Sequence, residues 1–484
     1  MDSLLLRLIS SHCIMFFLLL SSNLSASDMN SKRNIRYDID AEINLEFKEI
    51  IASAKITIPN HALSNKNYIY LKAKATGLDE SENCLIKINK ISVDGTTPLD
   101  YEYEAQSDTL KILLPKNISN ENFIRLVIDY ILPLHRGDPP WRKEYSKYGY
   151  YVFACDEDYA YWYPEVFTDN RNEYRFRDFF VTILYPKIVS ILTTGNVIDT
   201  PDSVDNKIRC VIRAESVEGF ALNFGEGYVL REIEKDDFKV YTFSPPELTE
   251  KFLEAAKFTL DAVAWYKKVY GFFPVQSIGI ASGHETYSGG FPTSNMFYIH
   301  RGGTLQPEFL RRITAHELGH YYWGLYVLSP SAIRLDWLML ANGIWIDELY
   351  SAKVNNQSLN IRWKNGPWYK MYMDVIRNNW DERLGISPEE EQQLKFSYNM
   401  YVNHAKAAVG IYLLSYKLGY DKFMELQKTI LEDYRYRTLS VRQFAEYVEK
   451  AGVGDAYDFL VQWQRGDASI IFKKQLEDVF NSSR

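Results

Sequence analysis

Two histidines and a glutamate in one short stretch have the residue types and the spacing of a metal-dependent hydrolase. The stretch begins at Pro307 and reads PEFLRRITAHELGHYYWGLYV, in which His316, Glu317 and His320 form an HExxH pattern. On a helix His316 and His320 lie one turn apart, so both imidazoles can bind one zinc ion. Glu317 lies ~100° round the helix, where it can take a proton from a metal-bound water that attacks a polarised carbonyl group.

The helix that must position these side chains has sequence signals at both ends. Pro307 is typical of a first helical position, and Ser329-Pro330 ends the run. Residues three and four apart share one face: Phe309, Ile313, His316, His320 and Trp323. A chance HExxH match is expected in roughly one chain in a hundred of this composition, so two purely structural histidines explain the pattern poorly.

The next helical segment begins at Trp345, reads WIDELYSA, and resembles the WLNEGFA-like helix of the gluzincin zinc aminopeptidases, the family of aminopeptidase N and leukotriene hydrolase. The matching positions are Trp345, Ile346, Asp347, Glu348, Tyr350 and Ser351. The resemblance implies that Glu348 is the third zinc ligand and that a fourth position stays open for water. Between His320 and Glu348 lie 27 residues, more than the family usually has. Asn342 lies nearer the usual spacing and is the alternative, although Asn is a poor zinc ligand.

The resemblance covers nearly all of the chain after its first 27 residues. The segments that carry it are RYDIDAEINLEF (36–47), Tyr161-Trp-Tyr-Pro164, DFFVTILYP (178–186), Thr194-Gly195 and DFLVQWQRG (458–466). It implies a saddle-shaped N-terminal β domain and a thermolysin-like zinc domain. The chain is expected to be a divergent, short, secreted member without the large helical C-terminal domain of longer members.

One family element is altered in the stretch Ser288–Met296, which resembles the GAMEN-like edge strand that binds the substrate. Gly289, Gly290 and Phe291 fit that strand, but Pro292 stands where the family has the Glu that binds a free amine. A buried ammonium group needs a paired acid, and a strand without one binds a peptide mainly through its backbone. The resemblance therefore implies peptide binding without strict aminopeptidase specificity.

A second altered element is the transition-state donor, for which the family uses a Tyr in a Y-x-K-G-A-like helix segment. The corresponding stretch here is His404-Ala-Lys-Ala-Ala408, so His404 stands at the Tyr position. A protonated imidazole can also donate a hydrogen bond to an oxyanion. Tyr401, one turn earlier, is the alternative donor, and a packing role for His404 is the other interpretation.

The first 27 residues have the order of a secretory signal peptide. Arg7 precedes the apolar run 13–20, and the small residues Ser25, Ala26 and Ser27 follow. We expect a secreted or periplasmic protein that has no stable membrane span after cleavage; an uncleaved signal anchor is the alternative. Removal of this segment leaves three cysteines, so at most one disulfide can form.

The composition limits the class of protein but does not indicate which reaction it catalyses. The chain has 484 residues, 46% of them apolar, and a net charge of −8, as for an ordinary globular protein. Because it has no basic run, nucleic acid is not an expected partner. The 36 tyrosines are in excess. Two clusters alternate as strand residues do, and we expect most of their members to pack in a sheet: Tyr145, Tyr148, Tyr150 and Tyr151, and Tyr159, Tyr161 and Tyr163.

The hydrophobic pattern divides the chain near residue 244, where close-spaced strand patterns give way to a helical period. Ser244 and Ser440 each open a capping box. The prediction is an α+β multidomain protein with an N-terminal antiparallel β saddle or sandwich (28–240), a mostly helical thermolysin-like zinc domain (241–470) and a tail (471–484). Its predicted function is that of a metallopeptidase with one zinc ion per chain and a peptide or protein substrate. The alternative is a degenerate peptide-binding or scaffold protein that has kept the fold.

Overall fold

The computed structural model describes residues 34–63, 67–72, 86–104, 109–115, 122–134, 151–153, 161–167, 174–199, 202–283, 288–302, 305–330 and 336–481. Outside these ranges lie the signal segment 1–27, Cys84 and Cys155 of the three remaining cysteines, and the tyrosines Tyr145, Tyr148, Tyr150 and Tyr159 of the two clusters. Signal cleavage and secretion stay predictions. Within the described ranges no helix combines the length and the apolar character that a membrane crossing requires.

The chain divides into two compact units. Unit 1 contains the described residues within Met1–Ala256 and Ser277–Thr304, and unit 2 contains those within Lys257–Gln276 and Leu305–Arg484. Unit 1 is built from strands and unit 2 from helices. The predicted fold class, a β-rich N-terminal part followed by a mostly helical part, is confirmed, whereas the domain boundary at residue 240 stays a prediction.

Unit 1 contains 21 strands within the described residues. They are β1 (Ile35–Asn44), β2 (Glu49–Pro59), β3 (Tyr68–Lys72), β4 (Lys87–Val93), β5 (Thr97–Pro98), β6 (Tyr101–Glu104), β7 (Thr109–Leu113), β8 (Phe123–Pro133), β9 (Tyr151–Phe153), β10 (Glu165–Phe167), β11 (Arg177–Pro186), β12 (Val189–Thr193), β13 (Asn196–Val197), β14 (Asp202–Val204), β15 (Lys207–Val217), β16 (Leu222–Glu226), β17 (Val229–Lys235), β18 (Phe238–Ser244), β19 (Ser277–Ser282), β20 (Gly290–Thr293) and β21 (Met296–Ile299).

Nine of these strands form the largest sheet, in the order β13-β15-β11-β1-β2-β8-β4-β5, with β14 also on β15. All pairs are antiparallel except β1 with β11. Every second residue of β2 is buried, and the register places Ala54 opposite Ile128 and Ala52 opposite Tyr130. Small residues thus face large ones on the buried side, which is how alternating strands fill a core.

Three smaller sheets complete unit 1, in the orders β10-β3-β7-β6, β12-β16-β9 and β17-β18-β19-β21-β20. In the last of these, β18 and β19 are parallel and are joined through a long helix, as parallel strands require. Among the described residues, the strand β20 pairs only with β21 and lies at the edge of the sheet.

The helices begin with α1 (Thr249–Tyr270), which follows a 3-10 turn at Pro246–Leu248. Those that follow are α2 (Pro307–Tyr322), α3 (Trp337–Val354), α4 (Leu359–Asn365), α5 (Pro367–Asn378), α6 (Pro388–Glu391), a π-helix (Asn399–Lys406), α7 (Ala407–Leu418), α8 (Tyr420–Asp433), α9 (Val441–Ala451), α10 (Ala456–Trp463), α11 (Ala468–Ile471) and α12 (Lys473–Asn481). The capping box at Ser440 is confirmed. The one at Ser244 is wrong, because pairing with Val229 holds Ser244 extended at the end of β18 and Pro245 follows it.

Tyrosines fill interiors in both units. In unit 1, Tyr37 stacks on Phe179 with ring centres 4.9 Å apart and contacts Tyr163 edge-on. In unit 2, Tyr266 and Tyr322 meet edge-on between buried helices. Strand packing therefore accounts for only part of the tyrosine excess, and helix packing accounts for another part.

Candidate metal centre

The HExxH residues lie in the second half of the helix α2, where every residue is buried. His316, Glu317 and His320 are all buried, and the Nε2 atoms of the two histidines are 3.1 Å apart. Their ring planes are nearly perpendicular, at 82°. Two nitrogen ligands of one tetrahedral zinc ion, each bound at 2.0–2.1 Å, are separated by about 3.3 Å. The two imidazoles therefore face each other at the separation that a shared zinc ion requires.

Two tyrosines tie α2 to the chain that precedes it in unit 2. The hydroxyl of Tyr266 donates to the carbonyl of Ala315 at 2.7 Å, one residue before His316. The hydroxyl of Tyr322 donates to the carbonyl of Phe272 at 2.6 Å. Burial raises the pKa of Tyr266 well above its usual range, so the hydroxyl keeps its proton and remains a donor. These bonds fix the helix on both sides of the turn that carries His316 and His320.

Two glycines allow α2 and α3 to touch through their backbones. A Cβ atom on Gly319 would lie 2.8 Å from the carbonyl oxygen of Gly343, closer than real contacts allow. A Cβ atom on Gly343 would lie 3.1 Å from Nδ1 of His320. The approach therefore requires the absence of a side chain at position 319, and a side chain at position 343 would crowd the His320 ring. The HExxH sequence therefore uses its glycine to admit α3 against the histidines.

One turn after Gly343, on the same face of α3, Asp347 reaches the first histidine. Its Oδ2 lies 2.7 Å from Nδ1 of His316, and its side chain is 1% exposed. A carboxylate on the far nitrogen of a histidine orients the ring and directs its Nε2 lone pair at a metal. Burial lowers the pKa of His316 to about 3, so the ring is neutral, which is the form that binds metal.

The two histidines thus fit zinc, but the third predicted ligand is engaged elsewhere. Both carboxylate oxygens of Glu348 accept hydrogen bonds from the guanidinium of Arg362, Oε1 from Nη2 at 2.9 Å and Oε2 from Nε. Burial, and then the neighbouring Asp347, raises the pKa of Glu348 to about 7, against the opposing effect of Arg362. Among the described residues, no three His, Cys, Asp or Glu side chains are grouped closely enough to hold a metal ion.

The alternative ligand, Asn342, is buried in a polar chain that leads away from the histidines. Its Nδ2 donates to the carbonyl of Leu338 at 2.9 Å, and its Oδ1 accepts from Nε2 of Gln427 at 3.0 Å. The Oε1 of Gln427 accepts from the hydroxyl of Tyr270 at 2.6 Å. Both amide atoms of Asn342 are therefore already engaged, Nδ2 within α3 and Oδ1 with Gln427 of α8.

His404, the residue predicted at the donor position, lies near the histidine pair. Its ring centre is 6.0 Å from that of His316, and the ring of Trp368 lies 5.7 Å from each of them. The Nδ1 of His404 is 2.7 Å from the carbonyl oxygen of Asn399. Because a carbonyl can only accept, this nitrogen carries the proton. Burial lowers the pKa of His404 to about 4, so the neutral ring has no second N–H with which to donate.

The π-helix that carries His404 is anchored at its last residue. Lys406 is fully buried, with its Nζ 2.6 Å from a carboxylate oxygen of Asp381 and 2.8 Å from the carbonyl of Glu382. The indole of Trp463, from the DFLVQWQRG segment, donates to the carbonyl of Lys406 at 2.9 Å. Tyr401 contacts Trp380 edge-on at 5.0 Å, so its ring packs there rather than against the histidine pair.

The predicted substrate strand is found in unit 1. Gly290 and Phe291 belong to the edge strand β20, and Gly289 precedes it with a positive φ of 102°. Phe291 stacks on Tyr298 of β21 with ring centres 4.4 Å apart. Pro292 lies within the strand, where it supplies no N–H group. Peptide binding by these residues stays a prediction.

Four residues that the sequence analysis did not assign support the site: Asp347, Arg362, Trp368 and Tyr266. In the sequence Asp347 appeared only as one position of the WIDELYSA match. Its spacing of one turn from Gly343 nevertheless indicates that the two residues share a face of the helix. Nothing in the spacing of Arg362 or Trp368 points to the histidines, since both lie on helices whose docking depends on the tertiary fold.

Solved structures with a similar fold include M1 zinc metallopeptidases. One is an M1 zinc metallopeptidase from Deinococcus radiodurans, with a TM-score of 0.62, 14% identity, and coverage of 89% of this chain and 93% of that chain. Another is a mutant of the M1 zinc metallopeptidase from the same organism bound to a Tyr-Ser-Ala substrate, with a TM-score of 0.62, 15% identity and the same coverages. No protein-family model and no curated protein matches the chain. The chain therefore has the two-domain fold of these metallopeptidases.

Proposed function

We propose that the protein is an exported zinc-dependent peptidase that acts on peptides or proteins. The observation that carries this proposal is the pair His316 and His320, whose Nε2 atoms lie 3.1 Å apart. Asp347 on the far side of one ring and the buried Glu317 on the same helix add the two accessory groups that a hydrolytic zinc site uses. The fold shared with M1 zinc metallopeptidases supports the same function.

In this proposal the protein's own residues have separate roles. His316 and His320 hold the metal, and Asp347 orients the His316 ring. When bound, zinc supplies a Lewis acid that acidifies a water molecule and polarises a carbonyl group. The Glu317 carboxylate takes the proton from the attacking water and returns it to the leaving amine.

The expected specificity for the peptide N-terminus follows from the edge strand β20 in unit 1. We propose that Gly289, Gly290 and Phe291 pair with an extended peptide through the backbone. With Pro292 in the place of an acid, the strand supplies no carboxylate for a free N-terminal amine. The enzyme should therefore accept peptides whose N-terminus is blocked.

The test is hydrolysis by zinc-loaded protein of Tyr-Ser-Ala, the peptide bound in one of the structural neighbours, and of longer peptides, each with a free or an acetylated N-terminus. Glu317→Gln should abolish turnover while zinc stays bound. Glu308→Gln is the matched control, because Glu308 is exposed in the first turn of the same helix. Rejection of every acetylated peptide would contradict the relaxed specificity, and unchanged turnover in Glu317→Gln would contradict the catalytic assignment.

A second candidate function is peptide binding without hydrolysis. The ion pair between Glu348 and Arg362 favours it, because that pair removes the predicted third ligand from the metal. Zinc-replete protein that binds the same peptides but does not cleave them over days would support this function and exclude the first.

A further inference from the structure

The indole of Trp368 carries a buried hydrogen-bond donor that the protein itself does not pair. Trp368 lies in the first turn of α5 and is 7% exposed. Its Nε1 atom has no acceptor among the residues that the structure describes. An indole N–H can only donate, and leaving it buried without an acceptor costs free energy. By contrast, three other buried tryptophans donate to protein oxygens: Trp162, Trp345 and Trp463.

The position of Trp368 connects this donor to the histidine site. Its ring centre lies 5.7 Å from that of His316 and 5.7 Å from that of His404, with interplanar angles of 35° and 18°. Trp363 also has no described acceptor for its Nε1, but it stacks on Tyr412 with ring centres 4.6 Å apart. A missing acceptor alone therefore does not mark a site. Trp368 combines a missing acceptor with contact to a histidine of the HExxH pair.

Neither residue that the sequence suggested as a donor has the geometry for this role. The Nδ1–H of His404 is used on the carbonyl of Asn399, and the neutral ring has no second N–H. The ring of Tyr401 packs against Trp380. An oxygen that gains negative charge during acyl transfer is stabilised by a donor fixed in advance. The indole N–H of Trp368 is a donor of this kind, on a ring that packing against two histidines holds in place.

We propose that the indole N–H of Trp368 donates a hydrogen bond to the carbonyl oxygen of the peptide bond that is cleaved. This rests on the proposed function, because it assumes that the histidine pair serves hydrolysis. When water attacks the carbonyl carbon, one electron pair of the C=O double bond moves to this oxygen, and the N–H stabilises the resulting charge without giving up its proton. The N–H is buried in the free protein, so the half-buried His404 ring that stacks on the indole moves aside when the peptide binds.

The first test compares peptide hydrolysis by the zinc-loaded wild type, Trp368→Phe and the control Trp363→Phe. Both variants keep an aromatic ring and remove an indole N–H that has no described acceptor, but only Trp368 contacts the histidines. Loss of one donor to the charged oxygen lowers kcat by ~10²–10³-fold, and we expect this for Trp368→Phe. Its KM should stay within about threefold of the wild type, and so should both constants of Trp363→Phe.

The second test measures binding instead of turnover. A peptide phosphinate has charged oxygens on a tetrahedral phosphorus and so mimics the transition state, whereas the uncleaved peptide is measured in the Glu317→Gln background. Trp368→Phe should weaken phosphinate binding by ~10²-fold or more and peptide binding by less than about threefold. In protein labelled with ¹⁵N-tryptophan, the indole N–H resonance that is missing from Trp368→Phe should move downfield when the phosphinate binds to the wild type.

The outcomes separate this proposal from the proposed function. If the wild type cleaves peptides and Trp368→Phe keeps kcat and phosphinate affinity within about threefold, Trp368 is not the donor. Equal losses of phosphinate and peptide affinity would assign Trp368 a packing role and also overturn the proposal. A wild type that neither cleaves peptides nor binds the phosphinate would overturn the proposed function, and the role of Trp368 with it.

Discussion

The helix α3 has two polar faces that do different things. On one face Gly343 admits α2 closely and Asp347 orients His316, so the face serves the histidine pair. On the other, Trp345 donates to the hydroxyl of Ser415 at 2.8 Å, and Glu348 pairs with Arg362. Neighbouring acids in one short string thus serve different purposes: Asp347 orients a histidine, and Glu348 pairs with an arginine. A motif match alone does not tell which of two adjacent carboxylates serves the chemistry.

The largest expected effect comes from a change on the α3 face that carries Trp345 and Glu348. Arg362→Leu leaves Glu348 buried without its partner, and loss of one member of a buried pair costs about 3–5 kcal/mol of unfolding free energy. The matched control is Arg377→Leu, whose partner Asp374 is exposed, where about 0–1 kcal/mol is expected. Denaturant unfolding of the metal-free proteins measures both. Equal losses in the two variants would mean that the Glu348 pair is not a structural element.

The next largest effect comes from a change that disrupts the close contact between α2 and α3. Gly319→Ala places a Cβ atom 2.8 Å from the Gly343 carbonyl, and overpacking of this kind costs about 1–3 kcal/mol. The same shift should weaken zinc binding, because Asp347 moves with α3. Gly454→Ala is the control, since nothing lies within 4 Å of its added atom. Unfolding and zinc titration measure both variants. If Gly319→Ala behaved like the control, the close contact between α2 and α3 would be refuted.

A smaller effect tests the role of Asp347, the acid that contacts Nδ1 of His316. Asp347→Asn should weaken zinc binding by about 10–100-fold, because the orienting carboxylate of His316 is lost. The metal-free protein should stay folded, as Asn can still hydrogen-bond to the ring. Asp374→Asn, on an exposed helix surface, should leave zinc affinity unchanged. If Asp347→Asn binds zinc as the wild type does, the orienting role is refuted.

The smallest effect concerns the tyrosine beside the site. Tyr266→Phe removes the hydroxyl that bonds to the Ala315 carbonyl and should cost about 0.5–1.5 kcal/mol. Tyr457→Phe changes an exposed ring and serves as the comparison. Thermal unfolding should separate the midpoints of the two variants by about 1–3 °C. An identical midpoint would show that the Tyr266 bond does not hold α2.

Local sequence signals predicted the start of α2 and the main strands. The contacts of Glu348 and His404 could not be predicted in this way. Pro307 correctly predicted the start of α2, and alternation predicted the main strands, because proline geometry and side-chain period are local properties. The helix ends at Tyr322, earlier than Ser329-Pro330 suggests. The pairing of Glu348 with Arg362 depends on how α4 docks, and the carbonyl of Asn399 reaches His404 because residues 399–406 form a π-helix; residue spacing reveals neither.

Zinc content is the most direct test of the histidine pair as a metal centre. We predict one zinc ion per chain in purified wild-type protein, and less than a tenth of that in the double variant His316→Ala and His320→Ala when both are refolded with zinc and dialysed. Elemental analysis alongside protein quantification measures both. A wild type without zinc, or a double variant that retains a full equivalent, would contradict the assignment of the histidine pair as the metal centre.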